Sequence, residues 1–324
     1  MRCMTDMRAL ITGANGFVGR ALTLQLLALP GQKVVAAVRG APDCLPAGVE
    51  RSCVTSLSGS ATWRDALEGV DTVYHLAARV HVMRDTADDS LMEFRRTNVD
   101  GTLTLARQAA AAGVRRFVFV SSIKVNGEQT PIGRPFRAED VPAPVDPYGV
   151  SKLEAEQGLR RLAGETGLEV AIVRPALVYG PGVKANFLRM MKWLQRGIPL
   201  PFGAIDNRRS LVALDNLVDM LIACGRHPGA AQQTFLASDG EDLSTADLLR
   251  RLGLALGRPA RLVRVRPSWL DTAFNMVGKR DLAQRLNGSL QVDISKARML
   301  LGWTPPVRVT DALQRTATAY LSEA

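Results

Sequence analysis

A chain of 324 residues, 47% hydrophobic and 22% charged, can bury one large core or two smaller ones, which excludes a disordered or fibrous protein. No apolar run approaches the roughly 18 residues of a membrane helix, and residues 1–6 lack a hydrophobic leader core, so the expectation is a cytoplasmic protein with no membrane partner. The formal charge of +10 comes from basic residues spread along the chain, and with aromatics at 5% it points to a small polyanionic ligand and not to nucleic acid.

Met7 immediately precedes the first predicted strand, over 8–12, and residues 1–6 carry no identifiable chemistry. That strand runs into Gly13-Ala14-Asn15-Gly16-Phe17-Val18-Gly19 and then an apolar-periodic helix over 20–29. Glycines so placed between strand and helix let the backbone approach a pyrophosphate at the helix N-terminus. Strands over 34–39 and 72–76, with a helix over 60–67, come next; a long helix over 91–112 then leads to the apolar strand 117–120, which ends in Ser121-Ser122. A helix from Tyr148 to Gly164 and a strand over 170–174 complete a regular alternation, the mark of a Rossmann-type doubly wound parallel sheet.

After Pro175, Pro and Gly cluster at 180–182 and 198–201, and helices such as 242–256 are separated by basic links. The expectation is a smaller, interleaved C-terminal substrate domain. Residues 1–175 would bind the cofactor, with 207–237 returning to that domain, while 176–206 and 238–324 would bind substrate. The four cysteines, Cys3, Cys44, Cys53 and Cys224, have no metal-ligand spacing and are expected to be free thiols, with no metal.

The chemistry centres on Tyr148-Gly149-Val150-Ser151-Lys152. Residues at i and i+4 share a helix face. The Lys152 ammonium is therefore expected to lie beside the Tyr148 phenol and to lower its pKa from the usual ~10 toward the operating range of an acid/base. A hydroxyl at the carboxyl end of strand 117–120 faces the ligand crevice of such a sheet.

Together these stretches resemble the extended short-chain dehydrogenase/reductase family, the NAD(P)-dependent epimerases, dehydratases and reductases of nucleotide sugars. The likeness also runs through His75-Leu76-Ala77-Ala78, Asn98-Val99-Asp100-Gly101-Thr102, Arg174-Pro175, Val178-Tyr179-Gly180-Pro181-Gly182, Arg208-Arg209-Ser210, Asp293-Ile294-Ser295-Lys296 and Leu301-Gly302-Trp303. It implies cofactor contacts from Gly13, Asn15, Gly16, Phe17, Val18, Gly19, Leu76, Ala77, Ala78, Tyr148 and Lys152, and catalysis by Ser122, Tyr148 and Lys152. Arg209 would grip the substrate diphosphate with Asn186 as a second contact, and Arg79 would line the sugar pocket beside His81, which is given no role. Relatives dimerise through the helices matching 91–112 and 148–164, which implies a homodimer.

Departures from the family pattern sharpen the expected reaction. NAD-preferring members carry a carboxylate at the end of the second strand; here Val38-Arg39 stands there, and a guanidinium can pair with a 2′-phosphate, which favours NADP(H) over NAD(H). Ser56 replaces an adenine-contacting Asp, and Ile123-Lys124 replaces the Asp-Glu of dehydratases, which disfavours 4,6-dehydration. The reading that follows is reduction of a UDP-4-keto-6-deoxy-N-acetylhexosamine in surface-polysaccharide synthesis. A UDP-hexose 4-epimerase acting on UDP-glucose or UDP-N-acetylglucosamine is the alternative, and a non-catalytic NADP-sensing module is a distant third.

Overall fold

The computed structural model describes residues 7–40, 45–54, 56–80, 90–276 and 286–323. His81, residues 1–6, Cys3 and Cys44 lie outside them. Cys53 and Cys224 are free thiols, the first exposed and the second buried. Among the described residues, no helix is long and apolar enough to cross a membrane.

The predicted alternation is present. β1 (Met7–Thr12), α1 (Phe17–Leu27), β2 (Gln32–Val38), β3 (Glu50–Cys53), α2 (Arg64–Leu67) and β4 (Thr72–His75) form the first half. α3 (Ser90–Arg95), α4 (Gly101–Ala111), β5 (Arg116–Val120), α5 (Pro147–Thr166) and β6 (Glu169–Pro175) form the second. One departure lies at 60–67, where the helix shrinks to α2. The Gln108 side chain accepts from Trp63 N at 2.8 Å and donates to the Ala61 carbonyl at 2.8 Å, taking both backbone groups out of a helical ladder. The predicted helix 91–112 is α3 and α4 joined by a widened turn over Arg96–Asp100. β3 escaped prediction because its sequence, Glu-Arg-Ser-Cys, is polar and mostly exposed; it is an edge strand, and only β2 pairs with it.

Further on come β7 (Leu177–Tyr179), α6 (Ala185–Gln195), β8 (Arg209–Ala213), α7 (Leu214–Arg226), β9 (Gln233–Ala237), β10 (Asp242–Leu243), α8 (Thr245–Ala255) and α9 (Pro267–Met276). α10 (Ser295–Leu301) and α11 (Val309–Glu323) end the described chain. The main sheet is seven-stranded, in the order β3-β2-β1-β4-β5-β6-β9, and all its pairings are parallel. Apart from the edge strand β3, its strands are buried on both sides, as continuous Val/Ile/Ala/Phe runs require. Leu22 and Leu26 of α1 and Leu217 and Leu221 of α7 cover one face, while Leu105 of α4 and Leu159 of α5 cover the other.

β10, β8 and β7 make a small second sheet. A separate apolar cluster gathers Phe187 and Met191 of α6, Leu249 and Leu252 of α8 and Leu313 of α11. Asn216 ties the far end of the chain down in both directions: its Nδ2 donates to the Val307 carbonyl at 2.9 Å and its Oδ1 accepts from Val307 N at 2.8 Å. The sheet order reverses between β1 and β4. Their carboxyl ends therefore open the crevice where ligands of doubly wound sheets bind.

Candidate active site

The turn after β1 is built for close approach. Gly13 has φ +72°, and a Cβ there would stand 2.9 Å from Ala77 N. A Cβ on Gly19 would come within 2.0 Å of the Gly13 carbonyl oxygen, so no side chain fits where the helix folds against the turn. The N-terminus of α1 has no side-chain cap and no acidic residue in its first turn. Its amide donors and the positive end of the helix dipole are therefore left for an anion. A dinucleotide pyrophosphate fits this cradle, with Gly13, Asn15, Gly16, Phe17, Val18 and Gly19 at the turn and Leu76, Ala77 and Ala78 across the crevice. Arg39 is exposed, directly beyond the carboxyl end of β2.

His75, in the strand-end motif, is a structural pin. It is buried, its Nδ1 lies 2.7 Å from Thr12 Oγ1 and its Nε2 lies 2.9 Å from Thr102 Oγ1. Thr12 Oγ1 also accepts from Ala77 N at 3.2 Å, which fixes the turn opposite Gly13. Burial, with Lys152 nearby, pushes the His75 pKa down to about 3. The unfolded chain therefore takes up a proton near pH 6.5 that the folded chain refuses, and stability is lost as pH falls from about 6.5 toward 3, by up to ~1.4 kcal/mol per pH unit from this group. We expect urea midpoints measured between pH 7 and pH 4 to fall less steeply for His75→Gln than for the parent; parallel curves would contradict this role.

The three predicted catalytic residues come together. Ser122 follows β5, and its hydroxyl makes a hydrogen bond to Tyr148. Ser122 Oγ also accepts from Lys124 N at 3.2 Å, which holds the hydroxyl in place. Asp146 and Pro147 start α5: Asp146 accepts from Gly149 N at 2.7 Å, and Pro147 fills the first helical position. One turn on, Lys152 is 2% exposed, its Nζ donates to the Val120 carbonyl at 2.9 Å, and it stands 4.5 Å from the Phe119 ring centroid.

The electrostatics differ from the expectation that Lys152 lowers the Tyr148 pKa. Burial raises the Tyr148 phenol to about 12, with Asp146 adding to the rise and the Ser122 hydrogen bond opposing it. Lys152 is itself pushed down to about 7 by burial, against the pull of Glu156. Its ammonium is aimed at the Val120 carbonyl and lies 6.0 Å from the Tyr148 ring centroid. Helical spacing placed the two residues on one face, but burial sets their proton affinities.

Around this centre, Arg79 Cζ lies 5.8 Å from the Phe94 ring centroid and its Nη1 is 3.8 Å from Glu93. Phe94 in turn meets Tyr148 edge-on at 6.1 Å. Asn98 holds the backbone of Arg79 at both its N–H and its carbonyl, and donates to Ser151 Oγ at 3.0 Å. Lys124, in the dehydratase glutamate position, is paired with Glu128 and Asp146. Arg209 opens β8 and donates to the Gly288 carbonyl at 2.9 Å, and Asn186 is exposed near the N-terminus of α6.

Sequence reasoning gave no role to the buried network beneath this centre. Glu156 is fully buried; it accepts from Arg174 Nε at 2.8 Å, Arg174 Nη2 at 2.6 Å and Ser121 Oγ at 2.6 Å. Arg174 Nη1 also donates to Asn126 Oδ1 at 2.9 Å. Glu156 continues the i, i+4 series of Tyr148 and Lys152, which was the available signal. In the small sheet, Tyr179 donates to Asp239 at 2.9 Å, and burial raises the pKa of both.

Comparison with known proteins defines the class. Residues 9–236 match the NAD dependent epimerase/dehydratase family. The chain is 46% identical over 314 residues to a UDP-glucose 4-epimerase of Vibrio cholerae, covering 96% of this chain and 95% of the relative. The UDP-glucose 4-epimerase of Thermotoga maritima superposes with a TM-score of 0.77 at 23% identity, covering 98% and 99% of the two chains. MoeE5, solved with UDP-glucose and NAD, superposes with a TM-score of 0.76 at 26% identity and the same coverage. The chain belongs to the NAD dependent epimerase/dehydratase family, among the nucleotide-sugar enzymes of the extended short-chain dehydrogenase/reductases.

Proposed function

We propose that the protein is a UDP-hexose 4-epimerase. The observation that carries this reading is the 46% identity, over nearly the whole chain, with the Vibrio cholerae enzyme. It moves the balance away from the reductase, which the motifs alone favour. A nicotinamide dinucleotide, when bound, would supply the hydride chemistry at C4. Tyr148 would take the proton of the C4 hydroxyl as the phenolate, which a charged Lys152 favours and burial opposes, and would return it from the phenol so formed. Ser122, hydrogen-bonded to Tyr148, orients the same oxygen. Lys152 holds the nicotinamide ribose and tunes Tyr148 once its own environment charges it. In this reading the seven-stranded sheet carries the cofactor, segments 176–206 and 238–324 close over the sugar with Arg79, Asn186 and Arg209 as contacts, and the enzyme works as a cytoplasmic homodimer.

The test is stoichiometric. With UDP-glucose or UDP-N-acetylglucosamine and no added reductant, we expect the C4 epimer to form with no net change in reduced cofactor. The second reading rests on Arg39, which stands where NAD-selective relatives carry a carboxylate. Consumption of about one NADPH per UDP-4-keto-6-deoxy-N-acetylhexosamine, with no epimerisation, would establish the reductase instead.

Arg39 also supports a preference for NADP. Arg39→Asp should shift relative affinity from NADP toward NAD by at least about ten-fold, because a carboxylate repels the 2′-phosphate and accepts from a free ribose hydroxyl. Equal affinity of the parent for the two dinucleotides would remove the basis for that preference.

A further inference from the structure

The basic residues are dispersed along the chain, but the fold brings two basic segments that lack acidic residues side by side. Residues 184–205 contain no Asp or Glu and carry Lys184, Arg189, Lys192 and Arg196, all exposed. On α6 and its C-cap residue Arg196 the last three recur at i, i+3 and i+7, opposite the buried Phe187, Met191 and Leu194, so they share the outward face. Residues 252–270 likewise contain no acidic side chain, and there Arg258, Arg261, Arg264 and Arg266 are exposed.

Backbone pairing brings the two segments side by side: Leu200 N donates to the Arg261 carbonyl at 2.8 Å, Val263 N to the Leu200 carbonyl at 2.9 Å, and Gly203 N to the Val263 carbonyl at 2.9 Å. Nearby arginines are neutralised, Arg208 by Asp206, Arg250 by Asp247 and Arg251 by Glu241. None of the cations gathered here has an ion-pair partner among the described residues. Apolar side chains stand exposed between them: Ile198 is 44% exposed, Val263 50% and Trp269, one helical turn past Arg266, 69%.

We propose that this surface docks the protein on an anionic lipid bilayer. The residues combine the two terms of interfacial binding, arginine and lysine for the headgroup charge and a few apolar side chains, one of them a tryptophan, for the headgroup–acyl boundary. Nucleic acid fits less well: base stacking needs several aromatic platforms, and Trp269 is the one exposed aromatic on this surface among the described residues. The attachment is peripheral, in keeping with the described residues, among which no helix is long and apolar enough to cross a membrane. It is independent of which sugar reaction the crevice performs.

The experiment is co-sedimentation of the full chain with vesicles of phosphatidylcholine alone or with about a third phosphatidylglycerol. Binding to the anionic vesicles only, weakening as salt rises from 50 to 300 mM, is the expected result. Each charge removed should lower the partition coefficient about five-fold, so Lys192→Gln with Arg196→Gln and Arg264→Gln together should lower it by about two orders of magnitude. Trp269→Ser should weaken it further without changing the salt dependence. Arg51→Gln with Arg107→Gln removes exposed charge from the opposite lobe and should leave binding within a factor of two to three. Failure to bind anionic vesicles at 50 mM salt would overturn the proposal. Equal losses from the two sets of substitutions, or tighter binding to single-stranded nucleic acid than to the vesicles, would do so as well.

Discussion

Tyr148→Phe is expected to lower turnover by about 10²–10⁴-fold while leaving dinucleotide retention nearly unchanged. The substitution deletes one oxygen, the atom through which the substrate proton must pass. It keeps the ring that meets Phe94 edge-on at 6.1 Å. The backbone of α5 is held independently, by Asp146 at its start, so the helix does not depend on the phenol. Turnover should be followed as conversion of the true UDP-sugar, with cofactor content read from the absorbance of the denatured protein. Near-normal activity would mean that Tyr148 is not the acid/base. Loss of activity together with loss of cofactor would mean that the ring, and not the proton, was the essential part.

The second large effect is on stability. Glu156→Leu should cost about 3–5 kcal/mol of unfolding free energy, because it leaves the Arg174 guanidinium, 2% exposed, without a counter-charge. Ser121 and Asn126 would lose their place in the same network. Pairing it with Arg174→Met removes the stranded charge and should recover much of the loss, since replacing both partners of a buried ion pair with apolar groups is often close to neutral. Urea unfolding of the two single variants and the double variant completes the cycle. A Glu156→Leu protein within 1 kcal/mol of the parent would show that the pair does not hold the sheet to α5.

These two expectations mark how far the sequence could be read. The Gly13–Gly19 turn, the long apolar strands and the Tyr148/Lys152 spacing depend on residues close together in the chain, and local periodicity conveys them. β3, β7 and β10 did not announce themselves: they are strands of two to four residues whose pairing partners, not their own composition, make them strands. The direction of the Tyr148 shift was misread because spacing fixes which groups are neighbours, whereas burial fixes which charge states they prefer. The basic surface is illegible for a third reason: its two halves lie far apart in the chain, and backbone pairing of residues 200–203 with 261–263 brings them together. The Glu156–Arg174 pair was half visible, with Glu156 in register with Tyr148 and Lys152 and Arg174 known only as part of a motif.

The place of β9 at the edge of the main sheet, hydrogen-bonded to β6, has a consequence for how the protein is made. Every other strand of that sheet leaves the ribosome before residue 176, but the last does not appear until 233–237. At ~5–20 residues per second, β6 spends several seconds with the backbone groups of Ala-Ile-Val-Arg unpaired along one side, while the intervening residues build a different sheet. An open apolar edge of that kind recruits other strands. The nascent chain is therefore most prone to aggregation after β6 is finished and before β9 arrives, and slower translation of that stretch should lower the yield of native protein more than slower translation anywhere downstream.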